Sequence, residues 1–186
     1  MSESGNNTAT SWSSHRSRDH PQAPALLKDV LSLLLKIAVI LAVVLLAFTF
    51  MFGLCRYTDV SMAPAVKDGD LVLFYRLDKT YAAGDVLLLT SQGQKQVRRV
   101  VATAGDTVDI TEDGLLIKGA LQQEPEIYQT TQRYADGVTF PLTVGEGQVF
   151  VLGDARENAT DSRVYGAVDI KDTLGKVIAV LRRRNL

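Results

Sequence analysis

Cysteine and histidine are nearly missing from this chain of 186 residues, and each shortage closes off a chemistry. A single thiol, Cys55, allows no internal disulfide and no cysteine-cluster metal site. His15 and His20 sit together near the N-terminus, which leaves few ways to build a zinc centre or a His-dependent catalytic site. An excess of one charge is missing too. With 20 Lys+Arg against 21 Asp+Glu the formal net charge is -1, without the basic surplus that binding a phosphate backbone demands, so nucleic acid is not an expected partner.

What the chain does have is one long apolar run. Ile37 to Cys55 are 19 consecutive residues without a charge. At about 1.5 Å per residue, such a helix crosses a hydrocarbon core of about 30 Å. The preceding LLKDVLSLLLK is apolar on one face and Lys36 can snorkel to the interface, so residues 25–55 are assigned to a transmembrane helix and its approach. A core helix of a soluble domain seldom stays apolar all round for this length. A cleaved signal peptide would have a shorter leader and a small-x-small site after the run; FGLCRYTDV has none. Cys55 is expected to be an inert or buried thiol, with acylation at the membrane surface as the alternative. Arg16, Arg18, Lys28 and Lys36 precede the span, against Arg56 and Lys67 close after it, which places the N-terminus in the cytoplasm and residues 56–186 outside it. Residues 1–24 are Ser-, Asn- and Thr-rich and are expected to form a disordered cytoplasmic tail.

Beyond Cys55 the pattern is that of strands. DLVLFYR (70–76), DVLLL (85–89), KQVRRVVATA (95–104), TVDI, LLIKG, QVFVLG (148–153) and GKVIAVLRR (175–183) are bounded by the turns KDGD, AAGD, TAGD, TEDG, VGEG and LGDA. No helical period persists over three turns, so residues 56–186 are read as an all-β extracytoplasmic domain, with residues 121–147 as a more polar excursion on its surface. The basic end LRRRN is read as a solvated tail that can also dock on anionic lipid.

Three segments carry a resemblance: TDVSMAPAVKDGDLVLFYR after the span, VRRVVATAGDTVDI from Val97 to Ile110, and VFVLGDARENATDSRVYG from Val149 to Gly166. In this order behind one membrane helix they resemble the boxes of the bacterial type I signal peptidases, membrane-bound Ser-Lys endopeptidases that remove signal peptides from exported proteins. The resemblance implies a coiled antiparallel β-sheet domain of signal peptidase type, mainly β, on the outer membrane face. It implies a serine nucleophile at Ser61, followed by Met62 and Pro64, and no metal or organic cofactor. Signal peptides of exported proteins and the lipid bilayer are the implied partners.

The general base departs from the family's pattern. The family lysine aligns with Arg98, whose guanidinium stays protonated and cannot accept a proton. Asp59 stands where a Ser commonly donates to the oxyanion, and Ala159 stands where a Ser usually bonds the lysine. Both histidines precede the span, so neither reaches Ser61. Lys95, three residues before Arg98, points to the other face of a regular strand unless a bulge intervenes. Asp59 remains as a weak base, strengthened if desolvation raises its pKa. An Asp59–Arg98 charge pair replacing the old dyad is the other expectation. Asp59, Met62, Val66 and Val97 match positions near the substrate pocket. Pro64, Gly105, Asp106, Gly153, Asp154, Asp161 and Arg163 are assigned to structural support, with Asp161 and Arg163 bridging each other behind the site. Two functions follow. One is a signal peptidase I-like serine endopeptidase; the other is a catalytically impaired relative that binds exported or pilus subunits and assists surface assembly.

Overall fold

The computed structural model describes residues 23–91 and 93–182, so the N-terminal tail, His15, His20 and the last residues of LRRRN lie outside the described part. Helix α1, Ala23–Met51, is 29 residues long, roughly 43 Å. Its apolar window Leu26–Met51 has no side chains buried by the protein, unlike the core helix of a soluble domain, and it is long and apolar enough to cross a membrane.

The helix does not use the whole apolar run. It stops at Met51, and Phe52–Arg56 form a strand, β1, which corrects the extension of the helical segment to Cys55. Strand β1 packs closely across the sheet. Gly53 pairs with Phe74, and a Cβ on Gly53 would come within 2.2 Å of the tip of that ring, so a larger residue here would displace the Phe74 side chain. Phe52 packs beside Tyr75, with ring centroids 5.3 Å apart.

The remaining elements are β2 (Leu71–Tyr75), β3 (Val86–Ser91), β4 (Gln94–Thr103), β5 (Thr107–Thr111), β6 (Gly114–Ile117), β7 (Ala120–Leu121), β8 (Leu142–Thr143), β9 (Gln148–Leu152), α2 (Ser162–Tyr165), β10 (Val168–Asp169) and β11 (Thr173–Leu181). A 7-stranded sheet runs β1-β2-β11-β3-β4-β9-β10 and a 4-stranded sheet runs β7-β6-β5-β8. Every pairing is antiparallel. The fold is mainly β behind one N-terminal helix, as expected, and each of the longer apolar runs after Cys55 became a strand. The single turn α2 was not anticipated; four residues are too few to show a helical period.

Strand β4 serves three apolar clusters. Val97 packs with Tyr57, Met62, Val66, Val72, Phe74 and Leu88. Val100 packs with Leu87, Leu89, Val149 and Val151. Val101 and Ala102 join Val108, Ile110, Leu115 and Phe150. A register shift against β9 between Val100 and Ala102 re-aims the side chains, which lets adjacent residues feed different clusters. The excursion after β7 has little regular structure, yet it is fastened to the third box: Arg156 grips Glu124 at 2.8 and 2.6 Å, and Arg163 donates to the Gln132 carbonyl at 3.1 Å.

Candidate active site

Ser61 lies in the turn between β1 and β2, and that turn is tied down on three sides. The Tyr57 amide donates to the Asp70 carbonyl and the Gly69 amide to the Tyr57 carbonyl, both at 2.8 Å. The Val66 amide closes on the Met62 carbonyl at 2.9 Å, and the Ala155 amide donates to the Ser61 carbonyl at 2.9 Å. Met62 and Val66 are buried in the apolar cluster beneath, which makes them part of the turn's foundation. Pro64 follows in the same turn.

The Ser61 side chain is enclosed, with the residue 1% exposed. Its hydroxyl donates to Asp59 Oδ2 in a short hydrogen bond and accepts from Arg98 Nη1 at 2.7 Å. The Tyr57 hydroxyl stands 3.1 Å from the same oxygen. Asp59 reaches further: its Oδ1 accepts the Val60 amide at 2.6 Å and the Ser61 amide at 3.2 Å, and its Oδ2 lies 3.4 Å from Arg98 Nη1. The expected Asp59–Arg98 pair is therefore present, with Ser61 Oγ between the two charges.

The condition under which Asp59 would be a stronger base, a pKa raised by desolvation, is not met. Partial burial does push its pKa up, but the hydrogen bonds from the Ser61 hydroxyl and amide, the Arg98 charge and the Val60 amide outweigh it. The carboxyl is held below its ordinary value.

Arg98 comes to the site on β4, opposite Leu87 of β3. Its guanidinium is 2% exposed and its donors are spent on fixed acceptors: Nε and Nη2 on the Thr160 carbonyl at 3.2 and 2.9 Å, Nη1 on the Val97 carbonyl at 2.6 Å as well as on Ser61. The β3–β4 ladder is unbroken from Gln94 to Arg99, so no bulge turns Lys95 toward Ser61. Lys95 is exposed, opposite Thr90.

The third box supplies the wall behind. Asp161 and Arg163, both fully buried, meet in a fork at 2.9 and 2.8 Å, and Asp161 also accepts the Gly153 amide at 3.0 Å. A Cβ on Gly153 would lie 2.3 Å from the Ala159 methyl and 2.6 Å from the Ser61 carbonyl oxygen. Asp154 takes Arg99 in a second fork at 2.8 and 2.6 Å. The Ala159 carbonyl accepts the Tyr134 hydroxyl at 2.9 Å, and its buried methyl offers no hydrogen bond to the site. Gly105 and Asp106 form the turn from β4 to β5, where Asp106 accepts the Thr103 amide at 2.8 Å and pairs with Lys118 at 2.6 Å; they do not touch Ser61.

A groove of about 650 Å³ opens beside this cluster, lined among others by Asp59, Arg98, Lys95, Val97, Leu88 and Thr160. Of the four residues matched to a substrate pocket, Asp59 and Val97 line it, whereas Met62 and Val66 do not. Among the described residues no cluster of His, Cys, Asp and Glu has metal-binding geometry. Two participants were missed from sequence: Tyr57, four residues before Ser61, and the Thr160 carbonyl, a backbone group that no side-chain pattern reveals.

Comparison with known proteins bears on the family of the chain. Residues 30–182 match the family model described as signal peptidase, peptidase S26. Signal peptidase IB of Staphylococcus aureus (strain COL) is 27% identical over 168 residues, covering 81% of this chain and 88% of its own. Signal peptidase I of Bacillus licheniformis is 32% identical over 151 residues, covering 75% and 80%. A crystal structure of a signal peptidase I from Enterococcus faecalis V583 shares 28% identity and a TM-score of 0.45, covering 54% of this chain and 97% of that one. With the model spanning the helix, the Ser61 turn, β4 and the third box alike, the chain belongs to the signal peptidase family, peptidase S26, a family of serine endopeptidases.

Proposed function

We propose that the protein is a signal peptidase I-type serine endopeptidase that cleaves signal peptides from exported preproteins at the outer membrane face, with Ser61 as nucleophile and Asp59 as proton acceptor. The observation that carries this reading is the position of Ser61 Oγ, which donates to the Asp59 carboxylate while accepting from Arg98. In the reaction the Ser61 oxygen bonds the scissile carbonyl carbon and its proton passes to Asp59. The C–N bond then breaks as Asp59 returns the proton to the leaving amine, and water hydrolyses the acyl-enzyme. Arg98 supplies a fixed positive charge beside the reacting oxygen in place of the family's amine base. Val97 and Leu88 are apolar members of the groove's lining, suited to a small side chain before the cut, and Asp59 lines the groove as well. Arg16 and Arg18 before the helix and Lys28 and Lys36 in its N-terminal half support a cytoplasmic N-terminus and an extracytoplasmic domain.

One observation favours a second reading. The Ser61 amide, the natural donor to an oxyanion, is already taken by Asp59 Oδ1. A site blocked in this way binds extended segments of exported or pilus subunits in the groove and assists their assembly without cutting them. Incubating the lipid-reconstituted full chain with preproteins separates the two. Cleavage by the wild type that is abolished in Ser61→Ala supports the peptidase, and equal absence of cleavage supports the assembly factor.

A further inference from the structure

We propose that Tyr57 is a further catalytic residue, whose phenol donates a hydrogen bond to the Ser61 oxygen and stabilises the negative charge that builds there as the proton leaves. The proposal rests on Ser61 as the nucleophile.

Counting protons and lone pairs assigns the direction of the bond. The Tyr57 hydroxyl accepts the Met62 amide at 3.1 Å, which uses its acceptor side. The one proton of Ser61 is committed to Asp59, and Arg98 can only donate. The contact of 3.1 Å between the two hydroxyls is therefore made by the Tyr57 proton. Ser61 Oγ then accepts from Tyr57 and from Arg98, which occupies both of its lone pairs. It has a pair to offer carbon only once the O–H bond has given its proton to Asp59, and both donors strengthen at that moment.

The phenol is held ready for this. Tyr57 is 3% exposed, with its ring packed against Met62, Val66, Val72 and Leu88. Its amide and carbonyl are both hydrogen-bonded at 2.8 Å. Burial, outweighing the bond to Ser61, raises its pKa and keeps the proton in place at neutral pH. A donor fixed in a water-poor site costs no reorganisation during the reaction.

The test is the rate at which a fluorophosphonate labels Ser61 in the lipid-reconstituted full chain, read by peptide mass spectrometry. In that reaction the Oγ–P bond forms, the P–F bond breaks with loss of fluoride, and the hydroxyl proton goes to Asp59. Tyr57→Phe keeps the ring and is expected to label about 10- to 100-fold more slowly, with Tm within about 4 °C of wild type. Replacing Tyr57 with 3-fluorotyrosine, whose phenol is more acidic and a stronger donor, is expected to label faster than wild type, and it serves where the Phe variant fails to fold. Labelling of Tyr57→Phe at the wild-type rate, or of the fluorotyrosine chain at or below it, overturns the role of Tyr57 and leaves Ser61 as nucleophile. Absence of label on Ser61 in the wild type overturns the nucleophile and, with it, the role of Tyr57.

Discussion

A guanidinium at position 98 changes the logic of the site, because it can donate to Ser61 and can never take its proton. On the proposed mechanism the proton goes to the carboxylate, and this moves the expected loss of activity to lower pH. A neutral amine base loses activity as pH falls through neutrality. Asp59 has its pKa depressed in the folded protein, so the ionised, proton-accepting form and its pairing with Arg98 are present above that value and lost only as pH falls through it. The kcat/KM for preprotein cleavage should stay flat from about pH 8 to 5 and decline only below about pH 4. A decline centred near neutrality would assign the base elsewhere. The same charge argument governs repair. Arg98→Lys should change cleavage by less than about tenfold, because Asp59 holds the new ammonium protonated. Combining it with Asp59→Ser removes that hold and should raise the rate at least about tenfold over Arg98→Lys alone. Initial cleavage rates of the two variants check both statements.

Among the elements, β4 and the third box do most to place the site, and both were largely legible. Their apolar runs are long, β-branched and closed by Gly-Asp turns, so strand identity followed from pattern alone, and the Asp161–Arg163 fork is present as expected. Strand β1 was not legible. FGLCR continues the apolar composition of α1 without a break, whereas its pairing with β2 and the close approach of Gly53 to Phe74 are long-range contacts. Arg98 was recognisable as an anomaly, but its anchors are the carbonyls of Thr160 and Val97, and backbone groups leave no mark in a side-chain pattern. The sign of the Asp59 shift stayed open in the sequence, because desolvation can be guessed from it, whereas hydrogen bonds converging on one carboxylate cannot. Two stability tests belong at this scale. Asp161→Ala strands the buried Arg163 and should cost about 3–5 kcal/mol. Gly153→Ala forces a methyl against Ala159 and the Ser61 carbonyl and should cost about 1–3 kcal/mol while slowing any Ser61-dependent reaction. Denaturant melts of the detergent-solubilised chain read both losses.

At the scale of the whole molecule, the near-neutral composition conceals a charge-free apolar run, Ile37 to Cys55, and a β domain with Ser61 in the turn after its first strand. With the N-terminus in the cytoplasm, protease added outside sealed right-side-out vesicles should digest the domain from residue 56 onward and spare the tail; the reverse pattern contradicts the proposed topology. The central claim is that Ser61 still performs chemistry although no lysine serves it. The most direct measurement is the rate of preprotein cleavage by the lipid-reconstituted full chain, set beside Ser61→Ala. The account predicts cleavage by the wild type at pH 5 as well as pH 8, and none by the variant. Equal absence of cleavage from both proteins would contradict it.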